Sequence, residues 1–62
     1  SESAIAVTHV RKEAGLTQRE LANVSKVPQS TIARIETGAN TSVDTLTKIA
    51  NALGKKLTVS FS

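Results

Sequence analysis

Side chains able to make hydrogen bonds with a ligand are concentrated between Gln18 and Thr41, and Gln29-Ser30-Thr31 places three of them in succession. The sequence gives little support for chemistry other than ligand recognition. No nucleophile lies near a base, no carboxylates are paired, and no glycine-rich loop could cradle a phosphate. His9 is the single histidine and there is no cysteine, so a metal site lacks ligands. We expect no enzymatic activity, no metal and no cofactor.

The composition predicts one small domain over residues 1–62 and favours an anionic partner. Eight Lys/Arg against five Asp/Glu give a net charge of +3 and a pI near 9.8. A core of this size supplies roughly 3–5 kcal/mol, and without disulfides the remaining source of stability is oligomerisation. No apolar run approaches the roughly 20 residues of a membrane span, and no signal peptide is recognisable. The expectation is a cytoplasmic protein that does not bind membranes.

Helix one is predicted from Ser3 to Ala14, before the stop signal Gly15. Thr17 and Glu20 have the spacing of a capping box, in which each side chain pairs with a free backbone N–H of the other residue. Helix two therefore runs from about Gln18 to Ser25. The apolar residues that recur at helical spacing in the first segment are Ala4, Val7, Val10, Ala14 and Leu16.

The connection Ser25-Lys26-Val27-Pro28 is short, so it fixes the crossing angle of two helices and turns one face of the second outward. Pro28 suits the first position of a helix, and helix three is expected to begin there and end before Gly38. Helix four is predicted between a Ser42 cap and Gly54. Its apolar stripe comprises Val43, Leu46, Ile49, Ala50 and Leu53.

The C-terminal segment changes its period, because Leu57, Val59 and Phe61 alternate with small polar residues. This alternation predicts a β-strand over about residues 57–61. No other segment is predicted to be a β-strand, so the expected partner is the same strand of a second copy. These three residues would then form the dimer contact. The alternative is a frayed tail.

A set of residues spread over nearly the whole chain keeps the spacing of a known motif. It comprises Leu16-Thr17-Gln18, Leu21-Ala22, Val27, Ser30-Thr31-Ile32, Arg34-Ile35-Glu36, Gly38, Leu46, Ile49, Ala50 and Leu53-Gly54. In this order the residues resemble the Cro and repressor type of helix-turn-helix, which is widespread in bacterial regulators and antitoxins. The resemblance implies an all-α, lambda-repressor-like domain of four helices, with the helix-turn-helix at about 18–37. A helix presented in this way fits the major groove of B-DNA, which is about 12 Å wide.

The resemblance also implies roles for single residues. Gln18 is similar to the glutamine that clamps a DNA phosphate. Gln29, Ser30 and Arg34 match base-reading positions, and Thr31 lies close to the DNA backbone. Glutamine suits adenine and arginine suits guanine, although a phosphate contact or a plain surface position is an alternative for Arg34. Flanking phosphates are within reach of Arg19, Lys26, Asn40 and Thr41.

Arg11 and Glu36 match a pair that, in the similar proteins, joins helix one to the end of helix three as a partly buried ion pair. We interpret this pair as structural. Two positions depart from the pattern: Lys26 stands where glycine is usual, and Pro28 stands where a Ser or Thr cap is commoner. A non-glycine residue at positive φ costs on the order of 1 kcal/mol unless the turn takes another shape.

The ending of the chain is a third departure, because Leu53-Gly54 leads to the predicted strand instead of a fifth helix. This ending is similar to antitoxins of the HigA and HipB type. It implies a homodimeric repressor of a palindromic operator that controls its own operon, with any toxin bound by a segment outside this chain. The start at Ser1, without an initiator methionine, agrees with a longer protein. The alternatives are a phage or plasmid-type repressor, a restriction controller, or a protein-interaction module on the same fold.

Overall fold

A computed structural model describes residues 2–61, and within them the fold is all-α. Its four helices are α1 (Glu2–Glu13), α2 (Gln18–Ser25), α3 (Gln29–Glu36) and α4 (Val43–Ala52). The four predicted helices are thus confirmed. None of those found in residues 2–61 has both the length and the apolar character that a membrane span requires.

Local side-chain caps explain where α2 and α4 begin. The Glu20 backbone N–H donates to Thr17 Oγ1 at 3.0 Å, and the Thr17 N–H donates to Glu20 Oε1 at 2.8 Å, which completes the capping box. Ser42 Oγ accepts from the Thr45 N–H at 3.0 Å at the start of α4. Both caps were predicted from residue type and spacing alone.

The start of α3 differs from the prediction by one position. Pro28 is the N-cap residue, because its ψ of 140° is extended while the helix begins at Gln29. Its carbonyl accepts from the N–H groups of Thr31 and Ile32 at 3.0 and 3.1 Å. Proline has no side-chain oxygen with which to cap, so this helix begins without a side-chain cap.

The turn between α2 and α3 keeps the left-handed conformation at Lys26, where φ is 62° and ψ is 23°. The Lys26 N–H donates to the Ala22 carbonyl at 3.0 Å, and the buried Ser25 Oγ accepts from the Val27 N–H at 3.3 Å. The departure from glycine therefore leaves the shape of the turn unchanged. Lys26 carries the strain of a side chain in this region of φ.

The core lies where the four helices meet and includes the inner side of α3. Leu21 and Ile32 are fully buried, and Val27 beneath the turn is nearly so. Two predicted apolar positions, Ala14 and Val43, are instead exposed. Ala14 lies beyond the end of α1, and Val43, 59% exposed, lines an open groove at the start of α4. The core residues are Val7, Leu21, Val27, Ile32, Ile35 and Ile49, with Leu16, Ala22, Leu46 and Leu53 packed against them.

The predicted strand at 57–61 is not formed, since residues 55 to 61 have no regular secondary structure. A strand needs a neighbouring strand for its backbone hydrogen bonds, and residues 2–61 of one copy contain none. Leu57 is half-buried, whereas Val59 and Phe61 are 59% and 99% exposed. The segment instead borders a groove of about 400 Å³ beside α1 and α4.

Candidate nucleic-acid interface

Packing of α2 against α3 positions the candidate interface. Buried Leu21 and Ile32, with half-buried Ala22, fill the space between the two helices, and the small Ala22 side chain permits a close approach. The inner side of α3 is therefore in the core and its opposite side is in solvent. The Lys26 turn sets the angle between the two helices.

The outward side of α3 is the surface that we call the recognition face, composed of Gln29, Ser30, Thr31 and Arg34. Gln29, Ser30 and Arg34 are exposed and Thr31 is half-buried. Within residues 2–61, the side chains of Gln29, Ser30 and Arg34 make no hydrogen bond or ion pair with the protein. Their donors and acceptors are consequently available to a ligand.

A basic groove lies beside the recognition face. It has a volume of about 440 Å³ and contains Arg19 and Lys26 together with Gln29 and Pro28 at the start of α3. The fold thus places the predicted phosphate contacts Arg19 and Lys26 beside Gln29, a predicted base contact. Asn40 and Thr41 lie in the loop before α4 and do not border this groove.

Positive charge on this side of the molecule is uncompensated. In the described part of the chain, Arg19, Lys26 and Arg34 join no ion pair, whereas Lys48 pairs with Asp44 at 3.5 Å and Lys55 with Glu13 at 3.7 Å. The two acidic residues between Gln18 and Thr41 are both engaged. Glu20 completes the cap of α2, and Glu36 is bound to Arg11.

Arg11 and Glu36 form a bidentate ion pair between α1 and the last residue of α3. Arg11 Nε donates to Glu36 Oε2 at 2.7 Å and Arg11 Nη2 donates to Glu36 Oε1 at 2.9 Å. Their side chains are only 11% and 7% exposed. The hydrogen bond from Arg11 is the main cause that lowers the pKa of Glu36, against the opposing effect of burial.

Gln18 has a contact that sequence reasoning missed. Its Nε2 donates to Glu36 Oε1 at 3.2 Å, so the amide is held within the ion-pair network. Arg11 Nη1 also donates to the Leu16 carbonyl at 2.8 Å, immediately before the cap of α2. Residues 18 and 36 are remote in sequence, and no spacing rule for a single helix relates them.

Comparison with known proteins identifies this architecture. The sequence profile described as helix-turn-helix matches residues 9–59, which is most of the chain. The chain belongs to the helix-turn-helix family. No curated protein sequence matches it significantly.

The helix-turn-helix match spans α2, the Lys26 turn and α3, together with the C-terminal part of α1 and all of α4. It therefore covers the recognition face and the basic groove. The protein is a DNA-binding helix-turn-helix domain of the kind found in transcription regulators. Membership supports the fold and this class of function, and the DNA contacts assigned to single residues stay predictions.

Proposed function

We propose that this domain is a sequence-specific transcriptional repressor that reads DNA with the N-terminal half of α3. The observation that carries the proposal is the recognition face, whose exposed polar side chains have no partner in the described chain while uncompensated cations flank them. Gln29 suits the N6/N7 edge of adenine and Arg34 suits O6/N7 of guanine. Arg19, Lys26 and Gln18, with Thr31 and the loop residues Asn40 and Thr41, are assigned to phosphates.

We further propose that the protein acts as a homodimer on a palindromic operator. Exposed Val59 and Phe61, with Leu57 beside the α1–α4 groove, support a contact between two copies, because isolated apolar side chains of this size gain stability when covered. Pairing of residues 57–61 with those of the second copy would provide the strand partner that one copy lacks. Two α3 helices would then lie about 34 Å apart.

The physiological setting that we propose is autoregulation of a bacterial toxin–antitoxin operon in the cytoplasm, with the toxin bound outside residues 1–62. The resemblance of the chain's ending to antitoxins supports this role. A phage or plasmid-type repressor would use the same surface. Co-purification of a toxin encoded beside the full-length gene separates these two possibilities, since only an antitoxin would retain it.

Selection of random DNA duplexes on the purified protein tests the proposal. We expect enrichment of a palindrome with fixed half-site spacing. Two variants that remove the same charge make the matched comparison: Arg34→Ala changes the recognition face and Lys48→Ala changes α4. Arg34→Ala should cost about 1–3 kcal/mol and relax one base position, while Lys48→Ala leaves specificity unchanged.

If no sequence is enriched and the affinity for DNA does not vary with salt concentration, the proposal that this domain reads DNA is contradicted. Phosphate neutralisation predicts that log affinity falls against log salt with a slope of roughly −0.9 per contact. That negative result would favour a protein-interaction module. An unchanged sedimentation coefficient on replacing Val59 and Phe61 by serine would contradict the proposed dimer contact.

A further inference from the structure

We propose that Glu36, held by Arg11, is a positioning residue that orients the Gln18 amide for its phosphate contact. This inference rests on the proposed DNA binding and adds a role for a carboxylate on the inner side of the interface. It differs from the structural interpretation of the ion pair, because it assigns to Glu36 an effect on DNA affinity that passes through Gln18.

The hydrogen-bond pattern sets the orientation of the amide. Glu36 Oε1 already accepts from Arg11 Nη2 at 2.9 Å, and it accepts from Gln18 Nε2 at 3.2 Å. A carboxylate bound to a guanidinium only accepts, so the group of Gln18 that faces it must be the NH2 and not the carbonyl. Gln18 Nε2 carries two hydrogens, and one remains for a DNA phosphate oxygen.

The same network holds the backbone from which Gln18 projects. Arg11 Nη1 donates to the Leu16 carbonyl at 2.8 Å, and the Thr17–Glu20 capping box begins at the next residue. Gln18 is half-buried, whereas Gln29 on the recognition face is exposed and has no hydrogen-bond partner in residues 2–61. The two glutamines therefore start from different states: Gln18 is ordered before DNA binds, and Gln29 becomes ordered only on binding.

A side chain that is ordered in advance loses less conformational entropy when it binds. Removing the Glu36 acceptor should release Gln18 and weaken DNA binding about threefold to tenfold. This is the expected cost of immobilising one flexible side chain when a complex forms. The loss should appear only while Gln18 is present. A merely structural role for Glu36 would lower affinity whether or not residue 18 is a glutamine.

The experiment is a double-mutant cycle of Glu36→Ala, which leaves no side-chain acceptor at residue 36, and Gln18→Ala, with affinity measured on a labelled duplex of about 20 base pairs, two turns of DNA. Arbitrary sequence suffices because the phosphate contact does not depend on base identity. All proteins are compared at a temperature where circular dichroism shows them folded. We expect Glu36→Ala to weaken binding in the parent and to have no further effect in Gln18→Ala. Equal effects in both backgrounds would overturn the proposal while leaving DNA binding intact.

A second measurement needs no variant and no DNA. ¹⁵N relaxation should give the Gln18 side-chain amide an order parameter above about 0.6. The Gln29 side-chain amide should have an order parameter below about 0.6, as flexible groups do. Equal, low order in both would overturn the positioning role even if Glu36→Ala fails to fold. If the parent protein binds no duplex but Gln18 is ordered, the proposed function fails, and the role of Glu36 in DNA binding fails with it.

Discussion

Lys26 should lower the stability of the domain while contributing to DNA binding, and two substitutions separate these effects. Its φ of 62° places a side chain in the left-handed region, at a cost of about 1–2 kcal/mol relative to a residue without Cβ. Glycine relieves this strain but gains about 0.5–1 kcal/mol of additional chain entropy on unfolding. Lys26→Gly should therefore stabilise the fold by about 0.5–1 kcal/mol.

The matched control is Lys26→Ala, which removes the same charge and keeps a Cβ at the same φ. It should leave the free energy of unfolding close to that of the parent. For a domain of this size, the expected gain of Lys26→Gly corresponds to a rise in Tm of about 2–8 °C. Thermal and urea unfolding followed by circular dichroism measure both variants.

The affinity for DNA should fall in both variants, although neither is expected to lose stability. Both variants remove a cation of the basic groove that joins no ion pair in residues 2–61, so each should bind DNA more weakly than the parent. The slope of log affinity against log salt should become shallower by about 0.9 if the Lys26 ammonium neutralises one phosphate. Equal stability of Lys26→Gly and Lys26→Ala would refute the strain argument, and unchanged salt slopes would refute the phosphate contact.

Three further predictions concern the ion pair and the cap. Arg11→Ala leaves the Glu36 carboxylate without its guanidinium and should lower the free energy of unfolding by about 3–5 kcal/mol in urea titrations, and a loss below 1 kcal/mol would contradict the importance of the pair. Hydrogen bonding by Arg11 lowers the pKa of Glu36 in the folded protein. The ionised Glu36 carboxylate therefore contributes its full stabilisation above the unfolded-state pKa of about 4.3. This stabilisation is lost as the pH falls through the lowered folded-state pKa. Urea midpoints measured against pH should show this loss of stability in the parent. An equal loss of stability at low pH in Glu36→Gln would mean that other groups cause it. Thr17→Ala removes the cap of α2 and should cost about 1 kcal/mol in thermal unfolding, whereas the exposed Thr58→Ala should be neutral.

The helices were predictable because their signals are local. A capping box acts over three residues, a glycine ends a helix through its own φ, and apolar periodicity repeats within each segment. The bounds of α2 agree with the prediction. The exposed side of α3 could also be predicted, since the spacing of Ile32 and Ile35 sets which side is buried.

The C-terminal segment shows where a local pattern is insufficient. Alternation of Leu57, Val59 and Phe61 satisfies the strand rule, yet a strand exists only when a neighbour supplies its hydrogen bonds. Residues 2–61 of one copy supply none. The exposure of Val43 was unpredictable for a related reason, because helical spacing places a residue on a stripe without saying whether another element covers it.

What the sequence determined by itself was therefore the set of helices, their caps and the polar outward side of α3, all of which depend on residues within about one or two turns of each other. Only the tertiary structure decided that Lys26 retains the strained turn and that the Gln18 amide meets the Glu36 carboxylate. The turn keeps its shape because the packing of α2 on α3 opposes a local preference. The Gln18–Glu36 contact exists because α1, α2 and α3 converge, and such convergence is a property of the whole fold and not of any segment.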